Sequence, residues 1–160
     1  MNAVSDASPI IWLSQVMRCG LLRDLFTSII IAPEVHVETV LRASGYPSEA
    51  NVRAAIEAGW MRIVAPADMA KVRAFRAHLH MGEAQTLVLA QEQGVVALVD
   101  DLEARNFAKA MGLQILGTAG ILLLAKRYGL RIDVKGTLDE MRALGFRLSE
   151  AVYDEITRQL

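Results

Sequence analysis

The chain has 160 residues, 53% hydrophobic but only 6% aromatic, with a formal net charge of −1. This describes one domain with an aliphatic core and excludes a protein whose overall field draws in nucleic acid. A single cysteine, Cys19, excludes an internal disulfide and a cysteine-based zinc cluster. Mean hydropathy is high at +0.30, yet no segment approaches the ~18 uninterrupted apolar residues of a membrane span. The apolar excess is assigned to a core and a subunit interface, with a homodimer as the simplest closed assembly. No basic region followed by a long apolar stretch opens the chain, so no secretory signal is expected and a bacterial-type cytoplasm is the expected compartment.

In chain order, strands are predicted at 2–5, 28–32, 61–65, 95–99 and 113–116. None alternates cleanly between polar and apolar residues, as expected for strands covered on both faces. Pro9 is expected to open a helix through IIWLSQVM, followed by a turn-rich piece ending near Phe26. Pro33 opens a second helix, on which Val37, Val40 and Leu41 form an apolar stripe. Ser48 is read as the N-cap of the next helix and Gly59 as its terminator. Further helices are predicted over 67–78, 82–93, 102–111 and 118–128, the last three followed by Gly94, Gly112 and Gly129. Residues 135–160 read as a helical extension of two short helices that packs as a lid or meets a partner. No repeat or linker divides residues 1–160. Alternation of strand and helix gives an α/β fold on a parallel sheet, whose ligands bind beyond the carboxyl ends of the strands.

Acidic residues collect at those ends. Asp6 follows the first strand; it is either a helix cap or a metal ligand, and Ser8 nearby either caps or hydrogen-bonds a ligand carboxylate. Glu38 is open to an i, i+4 ion pair with Arg42. Glu83 opens a helix, where the helix dipole favours a carboxylate, but it shares a face with Leu87. Asp100 and Asp101 close the most apolar strand, where adjacent like charges call for a cation; Asp101 as N-cap and Arg105 as counter-charge give a purely structural alternative. Thr118, after Gly117, is an N-cap or a phosphate-binding hydroxyl. Arg105, Lys109, Lys126 and Arg127, with Arg131 and Lys135, form a basic stretch that either binds RNA or is a solvated surface. His78 and His80 lack the further ligands of a zinc site. The G-x-S-x-G, P-loop and G-x-G-x-x-G motifs are absent, so an all-carboxylate site suited to Mg²⁺ or Mn²⁺ is the best-supported chemistry.

The blocks SDASPII, PEVHVETV, GEAQTLVLA and ALVDDLEARNFAKAMGLQILGTAGILLLAKRYGL resemble, in order and spacing, those of the PIN domain, and more closely its small bacterial and archaeal branch. The resemblance implies a three-layer α/β/α sandwich on a central parallel sheet. It also implies an Mg²⁺- or Mn²⁺-dependent ribonuclease acting on single-stranded or structured RNA. Many such proteins are toxins of toxin–antitoxin pairs, so an antitoxin protein is an expected partner. By position, the four acids fall on Asp6, Glu38, Glu83 and the Asp100–Asp101 pair. Asp101 aligns with the final acid, Asp100 becomes an extra ligand or neighbour, and Glu103 takes the weakly acidic position beyond. Glu83 stands where many toxins carry Asp. Cations held by Asp6, Glu83 and Asp101 would activate water for phosphodiester hydrolysis. Two rivals remain: the same fold binding nucleic acid or a partner without cutting, and a phospho-receiver domain, whose acidic pair would end the first strand.

Overall fold

The computed structural model describes residues 1–160. Five parallel strands, β1 (Asn2–Ser5), β2 (Ser28–Ile31), β3 (Met61–Ile63), β4 (Val96–Leu98) and β5 (Ile115–Leu116), lie in the order β3-β2-β1-β4-β5. Val4 is in register with Ile30 on one side and Ala97 on the other. Ile29, Ile30 and Ile31 are all buried, which explains why this stretch reads as a continuous apolar run: both faces of the strand are covered. The edge strand β3 leaves Arg62 and Ile63 exposed, a charged rim of the kind that discourages edge-to-edge pairing.

The helices are α1 (Ala7–Gln15), α2 (Gly20–Leu25), α3 (Pro33–His36), α4 (Pro47–Glu57), α5 (Met69–Phe75), α6 (Met81–Gln93), α7 (Leu102–Ala110), α8 (Thr118–Arg127), α9 (Val134–Ala143) and α10 (Glu150–Arg158), with a π turn at Val37–Leu41. They fall into two packed groups, α1, α2, α4, α8 and α9 in one and α3, α5, α6 and α7 in the other. The result is a three-layer α/β/α sandwich. No helix is long and apolar enough to cross a membrane. In the tail, α9 buries Leu138 and Met141, and Phe146 beyond it meets Trp12 edge to face at 5.3 Å. Helix α10 buries Ile156 and is tied back by the Tyr153 hydroxyl donating to Asp139 at 2.6 Å.

Two expectations about helix starts and one about an apolar stripe are corrected. Helix α1 begins at Ala7, two residues before Pro9, because Asp6 is extended (φ −72°, ψ 170°) at the N-cap. Pro9 is tolerated in this first turn, where a backbone N–H has no intrahelical partner anyway. Helix α4 begins at Pro47, so Ser48 lies inside it and is buried; its hydroxyl donates to the Thr39 carbonyl at 2.8 Å. The predicted stripe of Val37, Val40 and Leu41 is broken by the π turn. Its wider winding buries Val35, Thr39 and Val40 and leaves Leu41 exposed.

Candidate functional site

Chain order in the sheet runs from β1 outward through β2 to β3, then returns to β4 on the other side of β1. The crevice at the carboxyl ends of β1 and β4 is therefore the switch point where ligands of open α/β sheets collect. Asp6 stands there, its backbone N–H donating to the Leu98 carbonyl at 2.9 Å, which fixes the end of β1 against the end of β4. The residue is 6% exposed, and no side chain donates a hydrogen bond to its carboxylate.

The acidic pair divides its roles. Asp100 accepts three hydrogen bonds: from Ser8 Oγ at 2.8 Å, from Thr118 N at 2.7 Å and from Thr118 Oγ1 at 2.6 Å. It thus links the starts of α1 and α8 and adds its charge to that around Asp6. Asp101 is exposed and caps α7, accepting the Ala104 N–H at 2.9 Å. Asp100 is thus the member of the pair whose charge reaches Asp6, while Asp101 lines the second cleft with Glu83 and Glu103. Adjacent residues leaving a strand point to different sides, and here one side is the crevice while the other is the mouth of α7. Thr118, buried, acts as an anchor for Asp100.

Glu38 comes to the site on the π turn and Glu83 in the first turn of α6. The Glu83 carboxylate accepts the His80 N–H at 3.0 Å, a reciprocal half of a capping box. Between them Gly82 has a packing reason to lack a side chain: a Cβ there would stand 2.6 Å from Glu38 Oε1 and 3.5 Å from Asp6 Oδ1. Glu38 and Asp6 therefore face one another across the glycine. The Glu38–Arg42 ion pair that the spacing left open does not form; Arg42 reaches Glu34 instead, at 3.3 Å, because the π turn breaks the i, i+4 spacing.

The basic stretch is dispersed. Lys109, Lys126 and Arg127 lie at the C-terminal ends of α7 and α8, roughly 10–14 Å along those helices from the crevice at 1.5 Å per residue. Arg127 hydrogen-bonds Gln159 at 2.6 Å. Only Arg105 is at the right end, and its guanidinium donates to the Val99 carbonyl at 3.4 Å rather than pairing with either aspartate. Sequence reasoning missed four residues that line the acid cleft, Glu34, Arg42, Arg76 and His80. The available signal was their position, since His80 and Arg76 stand two and six residues before the Gly82 of GEA and Glu34 and Arg42 bracket Glu38.

The cleft holding Asp6, Glu38 and Glu83 has a volume of about 380 Å³; a second, of about 280 Å³, continues past Glu83 to Asp101 and Glu103. Burial above all, opposed by the Ala7 N–H and reinforced by the charges of Glu38, Glu83 and Asp100, pushes the Asp6 carboxyl up to about 7. Glu38 is raised by burial and then by Glu34 and Glu83, against Arg42 and His80. Glu83 is likewise raised by burial first, with Asp101 and Glu103 adding to it. No three His, Cys, Asp or Glu side chains stand close enough to grip an ion as placed, the arrangement expected of carboxylates that repel one another. The donors nonetheless suit a divalent cation: all are oxygens, and the innermost carboxylate is buried without a side-chain donor.

Fold and cleft together define a parallel α/β sandwich with a carboxylate-lined crevice at its switch point. Residues 2–160 match the family model of the DUF3368 PIN domain, and the chain belongs to the PIN domain family. Members of that family are generally nucleases and typically use divalent metals. Among solved structures the chain is similar to a PilT N-terminus domain protein from the hyperthermophilic archaeon Sulfolobus solfataricus P2. The identity is 14% and the TM-score 0.45, with 94% of this chain and 99% of that one covered. Comparison with curated proteins finds no significant match.

Proposed function

We propose that this PIN domain is a metal-dependent endoribonuclease, with Mg²⁺ or Mn²⁺ as its cation. The observation that supports this reading best is Asp6: a carboxylate buried at a sheet switch point, raised to about 7, and surrounded by Glu38, Glu83 and Asp100 rather than by cations. A structural protein gains nothing from such a group, whereas a divalent ion repays the cost of gathering it. When bound, the cation supplies Lewis acidity, making water a stronger nucleophile and offsetting charge on phosphodiester oxygens.

Asp6, Glu83 and Asp100 would hold the ion. Ser8 and Thr118 fix the orientation of Asp100 through their hydrogen bonds. Glu38, facing Asp6 across Gly82, is the carboxylate placed to take the proton from the attacking water. Asp101 stays at the rim as the cap of α7.

The test is hydrolysis of a labelled single-stranded RNA by wild type and Asp6→Asn, in Mg²⁺, in Mn²⁺ and in EDTA. Internal cuts that need both the metal and Asp6 support the proposal. RNA bound but left intact by wild type in either metal would instead assign the fold to strand binding without cleavage.

A further inference from the structure

Arg76 is the one cation in the wall of the acid crevice with no partner. It lines both clefts, together with His80 and Glu83, so it marks the place where the two join into one groove. Arg42, the other cation there, is already paired with Glu34, and Arg105 is turned to a backbone carbonyl. The Arg76 side chain makes neither an ion pair nor a hydrogen bond, although Glu34, Glu38 and Glu83 share its cleft. A guanidinium among carboxylates would ordinarily settle onto one of them.

The helix that precedes it is anchored. At the start of α5, the Glu92 carboxylate accepts the N–H groups of Ala67 and Asp68 at 3.0 and 2.9 Å, and Lys71 is hydrogen-bonded to Gln91. At its end, Phe75 packs edge to face on Phe107 at 4.7 Å. Helix α5 is thus pinned at both ends, and Arg76 follows immediately after it. The side chain is presented to the groove from a fixed base with its donors free.

We infer that Arg76 is the phosphate-positioning residue of the groove. It takes a phosphate of a single-stranded polynucleotide so that the neighbouring phosphodiester reaches Asp6. Asp6 is buried at the floor, so a scissile linkage must leave any helical stack to reach it, which favours an unpaired strand. A planar fork of donors suits a phosphate better than a point charge does. The inference rests on the nuclease reading for the identity of the ligand.

The experiment separates the two. Fluorescence anisotropy of a labelled 12-nucleotide single-stranded RNA is measured against Asp6→Asn and against Asp6→Asn/Arg76→Gln in Mg²⁺. Arg76→Gln should weaken binding about ten-fold and lower the slope of log affinity against log salt by about 0.7, the contribution of one phosphate contact on a single strand. Arg76→Lys should recover only part of the loss. In the otherwise wild-type protein, Arg76→Gln should raise KM and leave kcat nearly unchanged. Lys126→Gln/Arg127→Gln, at the far end of α8, should change none of these. Arg76-dependent binding by a protein that never cuts would refute the nuclease reading and leave this one standing. Cleavage with unaltered affinity, salt slope and KM in Arg76→Gln would overturn the role of Arg76 alone.

Discussion

Replacing Asp6 by Asn should stabilise the metal-free protein, and should do so only above about pH 4. The folded state holds the Asp6 proton up to about pH 7, against 3.8 for the ordinary group. Between those values the folded chain binds more protons than the unfolded one, so stability falls as pH rises through the window and levels off above it. At about 1.36 kcal/mol per unit, the ceiling on this loss is about 4 kcal/mol. A compact unfolded chain and relaxation of the cleft reduce it, leaving roughly 2–4 kcal/mol. Asn keeps the shape, carries no charge and can donate to Glu38 or Asp100. Urea denaturation in EDTA at pH 4, 5, 6, 7 and 8 reads the effect as the difference between variant and wild type, in which carboxyls common to both largely cancel. That difference should be small at pH 4 and reach the full value by pH 8. Parallel stability curves across the range would mean that Asp6 ionises as an exposed carboxylate does, and the account of the buried site would be wrong.

The same charge logic says that Mg²⁺ or Mn²⁺ at pH 8 should raise the melting temperature of wild type and leave Asp6→Asn almost unmoved; equal shifts in calorimetry would deny them a common site. Thr118→Val removes a buried hydroxyl that donates to Asp100. It should cost about 1–2 kcal/mol in denaturant unfolding and weaken metal binding by calorimetric titration, whereas unchanged metal affinity would deny Thr118 its orienting role. Gly82→Ala would place a methyl group 2.6 Å from Glu38 Oε1. The end of that side chain can swing aside, so cleavage should fall at least ten-fold (about 1.4 kcal/mol) with folding nearly intact, and full activity in an RNA assay would show that Glu38 is dispensable.

What could be read from the sequence is what strand chemistry dictates locally. Runs such as SIIIA and VVALV, bounded by polar residues, announce strands buried on both faces, and acids directly after them announce a site at the strand ends. The roles of Asp100 and Asp101 were legible only in part. Asp101 as an N-cap was legible locally, whereas the placement of Asp100 was decided by Ser8, 92 residues away, and Thr118, 18 residues away. The π turn under Glu38 was hidden because a periodicity of 3.6 was assumed where the backbone winds more widely. Lys126 and Arg127 were grouped with the acids by nearness along the chain, yet α8 carries them away from Thr118, whose backbone touches Asp100. Arg76 gave no motif, since a single arginine at a helix end acquires meaning only from the groove it faces.

The placement of β1 in the middle of the sheet also dictates when the crevice can come into being. Its pairing with β2 joins Val4 to Ile30, whereas its pairing with β4 joins Val4 to Ala97. The first closes a short loop and the second a long one, so the first has the smaller entropic barrier. A chain emerging from the ribosome can therefore lay down β1, β2 and β3 with Asp6 and Glu38 in hand while Glu83, Asp100 and Thr118 have yet to be synthesised. Half of the carboxylates wait on a partial sheet, unable to gather around an ion, until α8 arrives to hold Asp100 in place. The order of synthesis thus sets the order of assembly: nascent fragments that end before α6 lack half of the carboxylates and cannot complete the acidic centre.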